Sequence, residues 1–344
     1  MKVYCNIDVD KRSFEGRTQL SGKVVRDLRD QGYIFTNNPA EADIFHFHSS
    51  GVFDSYRAYK LQQQYRKPCL YSLYSNVQEH PIMFPYNFLL QRLFMQKTAT
   101  KFLPSYSAVF PLSWRSIFLR KLTHVIVPSR YLHTSFRKNG KMIRFGVDTT
   151  KFKPLVKEAS VGSKIKVAYF GHSSTFKGLN DFVNASRHFD DHIEAHVFVT
   201  QRFAKVDRYI TKRNPRIIIH GFVENIVEAY NEMDIIVLPY RMQIGTVANP
   251  LVLLEAMACG KAIVTTDFEF VREMVEDAAV MVPKYRPKIV ARAVNKLALD
   301  PEQRKILGMK ARERAVQHYG LQRMLQQYGA LYGELAAKME RHHE

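Results

Sequence analysis

The chain is poor in cysteine, holds one tryptophan, lacks any long apolar run and has no acid over a long central stretch. Each absence narrows what it can be. Its three cysteines are Cys5, Cys69 and Cys259. They show no metal-ligand spacing and fall in or beside predicted core segments. That leaves buried, reduced thiols in a cytosolic protein as the simplest account. No apolar run approaches 18 residues, so no membrane-spanning helix is expected. The N-terminus runs straight into a predicted strand at Val3–Ile7, with no signal-peptide pattern. Between His80 and Val147 there is not one Asp or Glu, against eleven Lys and Arg. Aromatics such as Phe84, Tyr86, Phe94, Phe102 and Trp114 are interleaved with these cations. Taken singly, such aromatics are core residues and such cations a solvated face. As a whole the stretch suits an anionic membrane interface, with rings at headgroup depth and cations against lipid phosphate. Single-stranded nucleic acid would meet the same chemistry.

What is present suits two folded domains. Of 344 residues, 46% are hydrophobic and 24% charged, enough for each domain to bury a core. The net charge of +19 points to an anionic partner: lipid headgroups, nucleic acid or a phosphorylated substrate.

The chain is organised around residues 234–267. Ile235–Leu238 is an apolar run stopped by Pro239, as in a buried parallel strand. A helix follows, with Asn249 as N-cap, Pro250 at the first helical position and Gly260 just past its end. Ala262–Val264 opens the next strand. The free N–H groups over Asn249–Val252, with Leu251 among them, favour an anion. Glu255 stands about 7.5 Å further along the axis, within reach of a ribose attached to a diphosphate bound there. Spacing alone also fits, and favours, an ordinary α/β helix with a solvated Glu.

The run from Asn249 to Asp267 (Asn-Pro-Leu-Val-Leu-Leu-Glu-Ala-Met-Ala-Cys-Gly-Lys-Ala-Ile-Val-Thr-Thr-Asp) resembles the nucleotide-sugar site of the GT4 family of retaining glycosyltransferases, which have the GT-B fold. The resemblance implies that Glu255 holds the donor ribose and that the preceding loop holds the diphosphate. It implies that the loop Tyr240–Ala248, with Gly245 and Thr246, touches the donor sugar. The family's earlier Glu, eight positions before, is Val247 here. That departure leaves nucleotide binding intact as an expectation and leaves the sugar and catalytic competence open.

Two further stretches carry the resemblance. Ile165–Phe170 is a strand, and Gly171-His-Ser-Ser-Thr-Phe-Lys-Gly178 turns into a helix at Leu179. This is a phosphate cradle in outline, without the Walker spacing. It resembles the family's Gly-Arg…Lys-Gly turn. Lys177 and Gly178 match, while the Arg position is His172, a weaker and pH-dependent donor. Lys177 is therefore the expected cation against the departing diphosphate, with Glu255 and His172 the other catalytic candidates. Phe222, after the strand Arg216–His220, is expected near the nucleotide base. Ile143-Arg-Phe-Gly-Val-Asp148 and Phe152-Lys-Pro154 resemble the family's Gly-Val-Asp and Phe-x-Pro signature.

In the first half, Lys2–Val9 reads as a strand, 8–17 as a polar loop and Leu20–Gln31 as a helix. The resemblance places Gly16 and Arg17 of that loop on the acceptor side. It also places Tyr74 there, at the end of strand Pro68–Leu73 where the family commonly has His, with His80 as a substitute. His46 and His48 share one face of strand Asp43–His48, with no third metal ligand evident, and read as structural or cleft-lining.

The expectation is thus an α/β protein of the GT-B class, two Rossmann-like doubly wound domains facing across a cleft. Residues 1–154 form the acceptor side, 160–318 hold the nucleotide-sugar, and 319–344 form a helix packing back towards the first domain. The resemblance implies a hexosyl-type transfer with retention, by a front-face mechanism, and no metal or other cofactor. The basic stretch 80–147 implies peripheral attachment to an anionic membrane from the cytoplasm and a lipid-linked or membrane-presented glycan acceptor. Two alternatives stay open: a nucleotide-sugar-binding protein impaired at Val247, and, on charge alone, a nucleic-acid-binding protein.

Overall fold

Four of the described β-strands have every residue buried: Ile44–Ser49, Cys69–Leu73, Ile235–Leu238 and Ala262–Thr266. Burial on both faces is the signature of strands central to a parallel sheet. They belong to a computed structural model that describes residues 1–7, 16–49, 51–74, 112–155, 164–173, 177–241 and 249–341. The chain divides into two units. The first comprises Met1–Gly146 with Leu321–Glu344, and the second Val147–Gly320.

The first unit runs β1 (Lys2–Cys5), α1 (Gly16–Asp30), β2 (Ile34–Thr36), β3 (Ile44–Ser49), α2 (Val52–Tyr65), β4 (Cys69–Leu73), α3 (Leu112–Leu119), β5 (His124–Val127), α4 (Arg130–Thr134) and β6 (Gly140–Met142). Its sheet is parallel throughout, in the order β2-β1-β3-β4-β5-β6. Order reverses between β1 and β3, the switch point where such sheets take ligands. Helix α1 starts at Gly16. Gly16 and Arg17 therefore belong to the first turn of a helix and not to the loop expected from their polarity. The backbone at 16–19 has no apolar partner in sequence to announce it.

The expected histidine strand forms, and it is structural. His46 and His48 lie 3.9 Å apart, ring centre to ring centre, and both are buried. His46 bonds through Nδ1 to the hydroxyl of Tyr332 at 2.6 Å and through Nε2 to Ser72 Oγ at 2.8 Å. Ser72 in turn meets the Tyr328 hydroxyl at 2.9 Å. Burial holds the His46 imidazole well below its ordinary pKa and that of His48 at about 3. Both rings are neutral at physiological pH. Tyr328 and Tyr332 lie on the C-terminal helix Leu321–Glu340, so this network ties that helix to β3 and β4.

The second unit runs β7 (Ile165–Gly171), α5 (Leu179–Ser186), β8 (Ile193–Val199), α6 (Ala204–Arg213), β9 (Ile218–His220), α7 (Ile226–Glu232), β10 (Ile235–Leu238), α8 (Leu251–Ala258), β11 (Ala262–Thr266), α9 (Glu269–Val275), β12 (Val280–Val282), α10 (Pro287–Ala298) and α11 (Pro301–Tyr319). The C-terminal helix of the first unit is α12. The second sheet is also parallel, in the order β12-β11-β10-β7-β8-β9, the doubly wound pattern of dinucleotide-binding folds. Its switch point lies between β7 and β10, which pair at Ile235 with Val167 and Ile236 with Ala168. Val167, Val197, Val237 and Val264 of the sheet pack with Phe182 and Val183 of α5 and Val294 of α10. The segment after Gly146 joins this unit through its backbone. Val147 N–H donates to Tyr319 O at 2.8 Å, and the Arg312 guanidinium donates to the carbonyls of Thr149, Phe152 and Ala258.

The long buried strands and most helices lie where sequence places them. The three-residue strands β2, β6 and β12, and the helices α2, α6 and α9, do not stand out in the sequence. A three-residue edge strand is too short to show a period, and α6 carries five charged residues among its ten. Among the described residues, no helix is long and apolar enough to cross a membrane. No group of three His, Cys, Asp or Glu side chains among them could hold a metal ion. The three cysteines are free and buried.

Candidate functional site

The carboxyl ends of β7 and β10 flank the switch point of the second unit, and the expected donor-site residues follow both. After β7, Gly171 (φ +155°) starts the turn, and a Cβ there would come within 2.9 Å of the Tyr169 hydroxyl. That hydroxyl donates to the carbonyl of His172 at 2.8 Å, so the backbone of His172 is held while its side chain is exposed. Gly178 closes the turn at φ +87° and caps α5. A Cβ at Gly178 would stand 1.8 Å from the carbonyl oxygen of Pro239. Only glycine lets the turn after β7 lie directly on the end of β10.

Lys177 is placed by that contact. Its Nζ stands 5.9 Å from the centre of the Tyr240 ring, the first residue beyond Pro239. Burial pushes its ammonium down to about 8. An ammonium destabilised in this way gains from an arriving anion.

Helix α8 starts at Leu251 with Pro250 as its cap, one residue later than the Asn-capped start expected from sequence. Asn249 and Pro250 are buried, and Leu251 is half-buried. The Pro250 carbonyl accepts from the N–H groups of Leu253 and Leu254, closing the first turn. Glu255 comes one turn along. Its Oε2 accepts a hydrogen bond of 2.9 Å from the Tyr230 hydroxyl. Tyr230 is buried and stacks on Phe170 of β7 at 4.2 Å. Burial, with Glu255 beside it, holds the Tyr230 phenol well above its ordinary pKa, so it stays a donor. Burial raises the Tyr240 phenol as well, with Glu255 adding to the shift. Tyr240 therefore has Lys177 over its ring and the Glu255 carboxylate in its electrostatic surroundings.

Phe170 continues a stack across the sheet, to Phe198 at 4.4 Å and from Phe198 to His220 at 4.1 Å. His220 shares a 2.9 Å contact with His196, whose other nitrogen meets Glu194 at 2.8 Å. Phe222, two residues beyond, is 64% exposed and available to a planar ligand. Gly245, Thr246 and Val247 lie outside the described residues, and so does His80.

Sequence reasoning placed Tyr240 and Arg241 in the donor loop and did not find Tyr230 or Asp181 as parts of this site. Asp181, in the first turn of α5, lies 3.1 Å from Arg241, and Arg241 lies 4.8 Å over the Tyr285 ring. Tyr230 and Asp181 look like core and helix-start residues in sequence, and only the sheet order brings them to the switch point.

The first unit departs further from expectation. Tyr74 is 1% exposed, stacks on Phe145 at 4.9 Å and accepts from Ser21 Oγ at 2.7 Å. It is a core residue of the unit and not an exposed acceptor-side group. The reason is the neighbouring β3: His48 Nδ1 lies 3.1 Å from the Tyr74 hydroxyl and draws the ring inward. What this unit opens instead is a cavity of about 610 Å³ at the carboxyl ends of β1 and β2. Asn6, Asn37, Arg29 and Arg57 supply its polar lining. Of the basic aromatic stretch, residues 75–111 lie outside the described residues. In the remainder, Trp114 and Ile117 are exposed, while Phe136 and Phe145 are core.

Comparison with known proteins agrees with this geometry. Residues 164–300 match the model of the family described as Glycosyl transferases group 1. No curated protein matches. Among solved structures, sucrose-phosphate synthase from Thermosynechococcus elongatus is similar with a TM-score of 0.76 at 16% identity, over 98% of this chain and 99% of that one. HepE from Anabaena in complex with UDP is similar at 0.70 and 14% identity, over 97% of this chain and 99% of that one. The same HepE in complex with UDP-glucose gives 0.68 at 15% identity, with the same coverage. The chain has the GT-B fold, and over residues 164–300 it is similar to the group 1 glycosyltransferases.

Proposed function

We propose that this protein is a retaining glycosyltransferase of the GT4 type that moves a hexosyl group from a nucleotide-diphosphate sugar to an acceptor hydroxyl. The observation that carries the reading is the meeting of two loops at one switch point. Lys177 and Gly178 follow β7, and the N-terminus of α8, with Glu255 one turn in, follows β10. A diphosphate at that helix N-terminus faces the backbone N–H groups and the positive end of the dipole. Its ribose lies beside Glu255, whose orientation Tyr230 fixes. The HepE structures, solved with UDP and UDP-glucose, support a uridine nucleotide as the donor type.

In the reaction the bond between the anomeric carbon and the diphosphate oxygen breaks, and the acceptor oxygen bonds to that carbon on the same face. The acceptor proton passes to the departing diphosphate. Negative charge builds on that leaving group, and Lys177 and the α8 N-terminus neutralise it. These groups do the electrostatic work that a divalent metal does elsewhere, so transfer proceeds without one. Gly245, Thr246 and Val247 complete the donor loop in this reading. The acceptor is a lipid-linked or membrane-presented glycan, taken up by the first unit at an anionic membrane surface. The acid-free stretch 80–147 supports that part, with each cation near such a surface worth about 1 kcal/mol.

The test is nucleoside-diphosphate release from UDP-, GDP- and ADP-sugars, with and without anionic vesicles bearing a lipid-linked glycan and with chelator present. Release from one donor, stimulated by the vesicles and indifferent to chelator, is the expected result. Binding of a donor without release under any condition would favour a binding protein impaired at Val247.

A further inference from the structure

Lys177 is one cation, and a nucleoside diphosphate carries several negative charges. The structure holds a second cation across the switch point. Arg241 follows Tyr240 at the carboxyl end of β10, on the strand next to the one that leads to Lys177. Its Nε stands 3.1 Å from Asp181 Oδ2 but is not aligned for a hydrogen bond. Its guanidinium lies 4.8 Å over the Tyr285 ring, and the Tyr285 hydroxyl donates to the Arg241 carbonyl at 2.8 Å. Arg241 is thus fixed by an opposite charge on one edge and by an aromatic face beneath. No hydrogen bond from its guanidinium reaches any described residue. Nε is buried, while the side chain as a whole is 31% exposed.

The carboxylate that holds Arg241 is itself tied to the phosphate turn. Asp181 N–H donates to the Gly178 carbonyl at 3.0 Å, so Asp181 sits on the same turn that presents Lys177. A planar fork of donors, pre-oriented and not hydrogen-bonded, is suited to phosphate oxygens. Histidine, which occupies position 172 in this turn, carries no fixed charge.

We propose that Arg241 is a second diphosphate-binding cation of this site, engaging phosphate oxygens opposite Lys177, with Asp181 and Tyr285 beside it. This rests on the nucleotide-sugar reading above.

Titration calorimetry of wild type with UDP, GDP and ADP, and with the matching nucleosides, is the starting measurement. Arg241→Ala is expected to weaken the preferred diphosphate by about tenfold or more and to leave nucleoside binding unchanged, as for loss of charge-assisted hydrogen bonds. Arg241→Lys recovers part of the loss. Asp181→Asn breaks the same ion pair but keeps the guanidinium, and retains diphosphate affinity within about threefold. Arg241→Gln replaces Arg241→Ala if the latter does not fold. A purely structural ion pair would instead make Arg241→Ala and Asp181→Asn lose equally, and that result overturns the inference. So does Arg241→Ala binding the diphosphate as wild type does. Wild type that binds no nucleoside diphosphate overturns the nucleotide-sugar reading and this inference with it.

Discussion

The hydroxyl of Tyr230 donates to Oε2 of Glu255 at 2.9 Å, joining the end of α7 to the middle of α8. Tyr230 is held by its stack on Phe170 and by an edge contact with Phe152 at 6.3 Å. Glu255 is therefore oriented by a group that cannot swing away. Removing the hydroxyl by Tyr230→Phe leaves the packing intact and takes one hydrogen bond from the carboxylate. Nucleoside-diphosphate affinity is expected to fall by about 1–2 kcal/mol, the worth of one hydrogen bond to a charged group. Preference for ribose over 2′,3′-dideoxyribose nucleotides is expected to shrink with it. In a Glu255→Ala background Tyr230→Phe should add nothing. Additive losses in that double-mutant cycle would separate the two residues.

The Lys177 ammonium, held at about 8 by burial, makes binding depend on pH. A bound diphosphate stabilises the charged form and raises this pKa, so the complex holds more protons than the free protein as pH rises through 8. Affinity is then level below pH 8 and falls above it, approaching tenfold per unit. Titrations from pH 6.5 to 9.5 read this directly. Lys177→Met should bind weakly at every pH and show no such fall. A wild-type profile that stays flat to pH 9.5 would contradict the assignment.

Gly178 allows the approach of the two loops, since a Cβ there would sit 1.8 Å from the Pro239 carbonyl oxygen. Gly178→Ala forces backbone apart at a positive φ, and is expected to cost about 3 kcal/mol or more of stability. Thermal melting measures the loss, and nucleotide binding should fail in whatever protein remains folded. Gly333→Ala, in α12 with open space around it, is the control expected to melt close to wild type.

The fold was legible where burial is two-sided and where charges or glycines mark a turn. Ile235–Leu238 and Ala262–Val264 read as buried strands because nothing polar interrupts them. Lys177, Gly178 and Glu255 stand out through a family resemblance, since spacing alone favours a surface Lys and a solvated Glu. Tyr230 and Asp181 do not stand out in the sequence, because their place depends on which strands are neighbours, and strand order is not local information. The burial of Tyr74 is likewise not local information, since the hydroxyl of Ser21 and the ring of His48 lie beside it. Gly16 and Arg17 were taken for loop because helix α1 begins with a turn that has no apolar face.

The paired histidines of β3 give the first unit a defined acid sensitivity. His46 and His48 are buried neutral, one well below and one at about 3, against an ordinary value near 6.5. The unfolded chain takes up their protons as pH falls below 6.5, and the folded chain does not. Stability is therefore present above 6.5 and lost on acidification, at about 1.4 kcal/mol per pH unit for each ring. Denaturant melts between pH 7 and 4 measure the slope. His46→Gln with His48→Asn should flatten it, at a lower stability at pH 7 from the broken bonds to Tyr332 and Ser72.

The central claim is that the β7–β10 switch point binds a nucleoside diphosphate. A thermal-shift panel of UDP, GDP, ADP and their sugars tests it most directly. A ligand at 100 times its dissociation constant stabilises the folded protein by about 2.7 kcal/mol, several degrees in melting temperature for a unit of this size. The expected result is a shift with one base, abolished in Lys177→Met and reduced in Glu255→Ala. A folded wild-type protein that shows no shift with any nucleoside diphosphate would contradict the account.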